Sequence, residues 1–438
     1  MQESLVGFAI LLVLILLRLP IAFAMGLVGT VGFAYLVNWN AALAMISSVT
    51  YETGLAYDLS VVPLFILMGN FVTRAGLSDE LYMAANAFLG HRKGGLAMAT
   101  VVACGGFSAV CGSSLATAAT MAKVSMPSMR KYGYSDSLAA GSIAAGGTLG
   151  ILIPPSVILV LYGIMTEQDI GQLFMAGILP GMLGILFYLG AVRATIWLNP
   201  KSGPPGERLP WNERFRALRG VWGVMLLFLL VMGGIYGGIF TPTEAAGIGA
   251  SGAFLFALAR RKLTWPVLFD VLLQSVRSTA MIFSVLIGAL IFSNFINYAD
   301  LPTILTEWVA NSGLQPIGVM LLIMAVYLVL GCILESLSMI LLTVPVFYPL
   351  ISELTFPGVP PEMILIWFGI VVVVVTEISL ITPPVGLNVF VLRGVLPDVK
   401  TGTIFRGVGP FWIADILRLT LLILVPSITF LLPSLMGR

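Results

Sequence analysis

GILIPPS at residues 150–156 sets two consecutive prolines inside an apolar run long enough to cross a membrane, and SLITPPV at residues 379–385 repeats the arrangement in the second half of the chain. Proline donates no backbone hydrogen bond and pushes its predecessor toward extended geometry, so neither run reads as one unbroken helix. The first run, 137–165, would be about 43 Å long as a single helix, against a hydrocarbon core of roughly 30 Å. There is length to spare for a break. Thr382 reads as an N-cap and Pro383 as the start of a second half-helix, where its missing donor costs nothing. Unwound backbone at membrane depth is tolerated only where protein, water or an ion satisfies its polar groups. Each break therefore implies a site, its carbonyl end suited to a small cation and its amide end to a carboxylate.

The rest of the 438 residues fit that setting. Hydrophobic residues make up 59% and charged residues 10%, a balance that fits a polytopic membrane protein and no water-soluble domain of this size. The first apolar run, from Leu5, has no basic residue before it and no small-residue cleavage site after it, so it reads as a retained span. Cys104, Cys111 and Cys332 all lie in apolar segments, which argues against disulfides and thiolate metal sites. The net charge of +2 and its scatter give no nucleic-acid signature. No GxxxxGK[ST], HExxH or GxSxG motif is present and the single histidine, His91, sits in a basic loop, so neither ATP use nor an intramembrane enzyme is expected.

Spans are expected near 5–17, 21–37, 61–73, 137–165, 170–198, 221–240, 243–259, 279–297, 362–396 and 411–433. Two further apolar stretches, 94–131 and 315–354, break at CGSS (111–114) and ESLS (335–338) and read as re-entrant hairpins. The segments 40–58, 77–90, 264–277 and 401–415 mix polar and apolar residues and read as interfacial arms or connecting helices. Placing both termini in the periplasm puts the basic clusters 91–93, 130–131, 201–219, 260–262 and 393–406 in the cytoplasm and the acidic loops outside. The same elements recur in order: residues 1–198 hold five spans, the hairpin 94–131 and the broken helix 137–165. Residues 221–438 hold five spans, the hairpin 315–354 and the broken helix 362–396. Residues 199–220 form a cytoplasmic connector. An odd number of crossings turns the second copy upside down, and inverted repeats with broken helices mark secondary transporters.

FSAVCGSSLATAAT (107–120), GTLGILIPPS (147–156), LESLSMILLTVPVFYP (334–349) and ISLITPPVGLNVFV (378–391) together resemble the large membrane subunit, DctM type, of tripartite ATP-independent periplasmic (TRAP) transporters. The likeness covers nearly the whole chain. It implies an all-α elevator fold with sodium sites near the hairpin tips, embedded in the lipid of a bacterial inner membrane. It also implies two partners, a small four-helix membrane subunit and a soluble periplasmic protein that delivers an organic acid such as a C4-dicarboxylate or sialic acid. A stand-alone dicarboxylate permease and proton coupling through Glu335 or Glu377 are the rival readings.

Hydroxyl, carboxylate and glycine positions around the tips and breaks supply the candidate ligands. Gly112, Ser113, Gly147, Thr148 and Gly150 are expected to serve one Na⁺, and Glu335, Ser336, Thr376, Glu377 and Thr382 the other, because a hard cation prefers oxygen ligands. Ser114, Thr117, Ser338, Pro155, Pro384 and Asn388 are the expected substrate contacts. Asp415 and Arg418, three residues apart, read as a structural pair. No cofactor is expected beyond Na⁺ as coupling ion. A tenfold Na⁺ gradient supplies about 1.4 kcal/mol per ion, so two ions entering with a dianion support about a hundredfold accumulation.

Overall fold

The computed structural model describes residues 2–436, Val110 by its backbone alone; Met1 and residues 437 and 438 lie outside the described residues. Twenty α-helices are described: α1 (Gln2–Leu16), α2 (Ile21–Leu36), α3 (Trp39–Leu55), α4 (Val61–Arg74), α5 (Leu77–Leu89), α6 (Gly95–Cys111), α7 (Ser114–Lys131), α8 (Asp136–Thr148), α9 (Val157–Thr166) and α10 (Ile170–Leu198) in the first half. The second half holds α11 (Trp211–Tyr236), α12 (Pro242–Ala259), α13 (Trp265–Tyr298), α14 (Leu301–Ser312), α15 (Pro316–Leu330), α16 (Ser336–Ser352), α17 (Ile364–Ser379), α18 (Leu387–Val395), α19 (Thr401–Leu424) and the short α20 (Ser427–Phe430).

Five stretches are individually long and apolar enough to span a membrane: α10, α11, α13, α19 and residues 361–379, which carry α17. A sixth arises if α3 and α4, bent by 58° at their junction, count as one. The expected spans 137–165 and 362–396 are each split at the diproline, into α8 with α9 and α17 with α18; neither piece of the first is long enough alone, whereas residues 361–379 of the second are. The Pro154–Pro155 and Pro383–Pro384 bonds at the two breaks are cis.

α2 runs along α13 as α12 runs along α4, and α8 packs on α19 as α10 packs on α17. Small residues permit the close crossings: a side chain at Gly29 would meet the Phe292 backbone at 2.7 Å, and one at Gly249 would meet Met68 Sδ at 2.6 Å. Two helical groups result, one of α1–α4 with α11–α13 and the other of α6–α10 with α15–α19, with α5 and α14 lying between or beside them. Leaving Glu3 aside, no side-chain hydrogen bond or ion pair among the described residues joins the first group to the second. Apolar side chains make direct contacts between them, as where Phe65 of α4 meets Phe174 of α10 edge-on at 5.9 Å.

Three expectations are corrected. Residues 264–277 form no separate arm, because α13 is one helix of 34 residues, about 51 Å long. Its polar stretch is absorbed by neighbours, with Asn70 of α4 donating to Ser275 Oγ at 2.8 Å. Residues 401–415 and the start of the last span likewise form one helix, α19, which stops at Leu424 short of the expected 433. Thr382 does not cap a helix beginning at Pro383; α18 starts at Leu387 behind Gly386, whose φ of 61° suits glycine.

Candidate carboxylate and cation site

Each hairpin tip sits against the break of its own half. At the first tip Gly112 takes φ 61° and Ser113 caps α7, its Oγ accepting from Ala116 N at 3.4 Å. A side chain at Gly150 would stand 2.9 Å from the Ser113 carbonyl oxygen, so glycine there lets tip and break approach this closely; at Gly112, 3.6 Å from the Pro155 carbonyl oxygen, it is the positive φ that favours glycine. At the second tip Gly331 lies directly against Ser379, the last residue of α17, and Cys332 Sγ lies 3.7 Å from the Pro383 carbonyl oxygen.

Side chains replace part of the helix ladder at the breaks. Ser156 donates to the Ile151 carbonyl at 2.5 Å, and Thr382 donates to that of Ile378 at 2.6 Å. Leu152, Pro154 and Pro155 are buried, yet their carbonyls accept no hydrogen bond from the described residues. Buried carbonyls without donors are the groups a cation or ordered water satisfies. The Pro155 carbonyl faces the first tip, so tip and break together offer an oxygen-lined cradle with no carboxylate of its own.

Both tips open onto one cavity of about 200 Å³. Residues 111–116 line one side and 335–337 another, with Ile151, Val157 and Ile158 from the first break. Asn70 of α4 and Gln274 and Ser278 of α13 form the opposite wall. Glu335 is the one charged residue in the lining. The first turns of α7, α9 and α16 border the cavity, so three helix N-termini, the positive ends of their helix dipoles, surround it. Ser114 and Ser336 are 2% and 5% exposed, and no hydrogen bond joins either hydroxyl to another of the described residues. Two free hydroxyls beside helix N-termini suit a carboxylate.

The expected residues divide. Gly112, Ser113, Ser114, Glu335 and Ser336 line the cavity, and Gly150 and Pro155 lie directly behind it. Gly147 packs on Ala118 of α7. Thr117 donates back to the Ser113 carbonyl at 2.7 Å, Thr376 to that of Val372 at 2.8 Å, and Asn388 Nδ2 reaches the Ala144 carbonyl at 3.0 Å, bridging the halves. Ser338 is buried away from the lining and Pro384 is exposed outside it. The Thr382 hydroxyl accepts from Trp412 Nε1 at 3.0 Å. Glu377 is fully buried and paired with Arg418, which also lies 2.9 Å from Asp415. The Asp415–Arg418 pair is thus present, but with Glu377 as a third member. Thr148 turns from the break toward Tyr188, their oxygens 3.1 Å apart. Asn70, Gln274, Ser278 and Tyr188 were not singled out from the sequence; the signal was their polarity within otherwise apolar helices.

The family profile described as "Tripartite ATP-independent periplasmic transporter, DctM component" matches residues 8–428. The chain belongs to this family. The C4-dicarboxylate TRAP transporter large permease protein DctM of Pseudomonas aeruginosa is 36% identical over 389 residues, 88% of each chain. Its namesake from Rhodobacter capsulatus is 34% identical over the full length of both. The solved structure of the YdaH transporter of Alcanivorax borkumensis superposes with a TM-score of 0.66 at 15% identity, covering 96% of this chain and 97% of that one, a likeness of fold alone. A DctM-type chain is a transporter's large permease component and an integral membrane protein, and the helical hairpins and broken helices above are how this one builds it.

Proposed function

We propose that this DctM-type subunit carries out Na⁺-coupled symport of a small organic acid, with C4-dicarboxylates as the first substrates to test. The observation that carries this reading is the cavity itself: two hairpin tips and three helix N-termini converge on free hydroxyls without one arginine or lysine in the lining. A carboxylate entering it meets amide dipoles and the negative Glu335, so cations bound at the tips and breaks would supply the missing positive charge. That requirement makes ion and substrate binding interdependent, which is the condition for coupling.

Movement follows from the packing. Outside the cavity, the group holding both tips and both breaks meets the other group through largely apolar surface, and among the described residues, Glu3 aside, no side-chain hydrogen bond or ion pair has to be exchanged as it slides. This supports an elevator in which α6–α10 and α15–α19 travel against a framework of α1–α4 and α11–α13. In this reading a periplasmic binding protein delivers substrate, a separate four-helix subunit braces the framework, and both termini face the periplasm of the inner membrane. Reconstituted with both partners, the transporter is expected to accumulate labelled succinate in an inward Na⁺ gradient and to lose at least nine-tenths of that uptake when choline replaces Na⁺. Uptake that is equal in choline contradicts sodium coupling, and equal uptake without the binding protein favours a stand-alone permease. Ser114→Ala and Ser336→Ala should each raise the KM for substrate about fivefold to tenfold with little change in maximal rate, the pattern of a lost binding hydrogen bond.

A further inference from the structure

Five residues that are all fully buried form a polar chain between the two helix breaks. Thr148 is the last residue of α8, and its hydroxyl oxygen lies 3.1 Å from that of Tyr188 on α10. Tyr188 donates to Asp415 Oδ2 at 2.6 Å. Asp415 and Arg418 stand 2.9 Å apart on α19, and Arg418 reaches Glu377, two residues before α17 ends. The chain starts at one break, crosses α10 and α19, and finishes at the other.

Both ends of this chain have a second arrangement within reach. Thr148 has one hydroxyl proton and two acceptors, the Ala145 carbonyl at 2.8 Å and Tyr188 at 3.1 Å. The Ala145 carbonyl belongs to the last turn of α8, where the break frees backbone oxygens. At the far end Glu377 Oε1, Asp415 Oδ1, Arg418 Nε and Arg418 Nη1 are buried without a hydrogen-bond partner, so the triad is not held in one saturated pattern. Gly184 leaves the space Arg418 Nη1 occupies, since any side chain there would collide with it.

We propose that Tyr188, Asp415 and Arg418 are positioning residues that couple the two breaks, so that a cation held at one raises the affinity for a cation at the other. This rests on the sodium-coupled reading above. A cation drawing on the carbonyl end of α8 releases the Thr148 hydroxyl from Ala145 to Tyr188. Tyr188 then bonds Asp415 more strongly, because hydrogen bonds in series polarise one another. Asp415 and Arg418 in turn fix Glu377 and the end of α17.

The test is a Na⁺ titration of the purified full chain, read as the shift of its thermal unfolding, for wild type, Tyr188→Phe, Thr148→Val and the double variant. Both substitutions keep shape and remove hydroxyls; elution as a single species in choline confirms folding, and either single variant suffices if the other fails. Wild type should respond steeply, with a Hill coefficient near ~2, and each variant should approach ~1 with the half-saturating Na⁺ raised at least about fivefold. The double variant should match the singles, because one link is cut in all three. A structural role alone would lower the unfolding temperature without flattening the titration. Equally steep curves in wild type and variants overturn the coupling while leaving sodium binding intact. No response to Na⁺ in wild type overturns the sodium reading and the coupling with it.

Discussion

Exchanging Arg418 for methionine should destabilise the protein by about 3–5 kcal/mol and abolish uptake, because it strands Glu377 and Asp415 in a dry interior with no counter-charge. All three side chains are fully buried, so water cannot compensate. The control separates charge from volume. Replacing Arg418, Glu377 and Asp415 together by apolar residues of similar size should restore most of the lost stability, since a buried ion cluster is a weak source of net stability when removed whole. Uptake should stay absent in that triple variant if the cluster ties the two breaks together. Thermal unfolding and labelled uptake on the same preparations read both effects. A single Arg418→Met variant as stable as wild type would contradict the burial of the cluster.

The second large effect is expected at the glycines that seat the hairpins. Gly150→Val and Gly331→Val each push a side chain into the opposing tip or break, at the Ser113–Ser114 backbone in one case and at Ser379 in the other. Overpacking at such contacts costs about 1–3 kcal/mol, which corresponds to a weakening of cation affinity by roughly fivefold to 150-fold when the tip backs away from the break. Both variants should still reach the membrane in amounts close to wild type. The half-saturating Na⁺ for uptake, measured over a wide range, should rise in both. Gly190→Val is the control, because a side chain there meets open space.

How far these features could be read beforehand depended on whether the signal was local. The two diprolines and the small polar tips announce breaks and hairpins within a few residues of sequence, and α6–α9 and α15–α18 follow them. Gly112, Ser113 and Ser336 could be named for the same reason. Failures came where a partner lies far along the chain. Residues 264–277 look interfacial because of Gln274, Ser275 and Arg277, yet Ser275 pairs with Asn70 across 205 positions and Gln274 lines the cavity. Asp415 and Arg418 are visible as neighbours on one helix, whereas Glu377 and Tyr188 join them across 41 and 227 positions. Thr382 resembles an N-cap, but Gly386 sets the helix start because its backbone turn favours glycine. A polar residue in an apolar span signals that a partner exists; it does not say which one.

The most direct test of the central claim, that tips and breaks jointly hold Na⁺ and a carboxylate, is the simultaneous flux of ²²Na⁺ and labelled succinate into vesicles carrying the full transporter. Coupling through the shared cavity predicts that Na⁺ enters only when succinate is present, at a fixed ratio of about two or more ions per substrate, and that Gly150→Val depresses both fluxes together. Succinate entry that proceeds undiminished with no accompanying Na⁺ would contradict it.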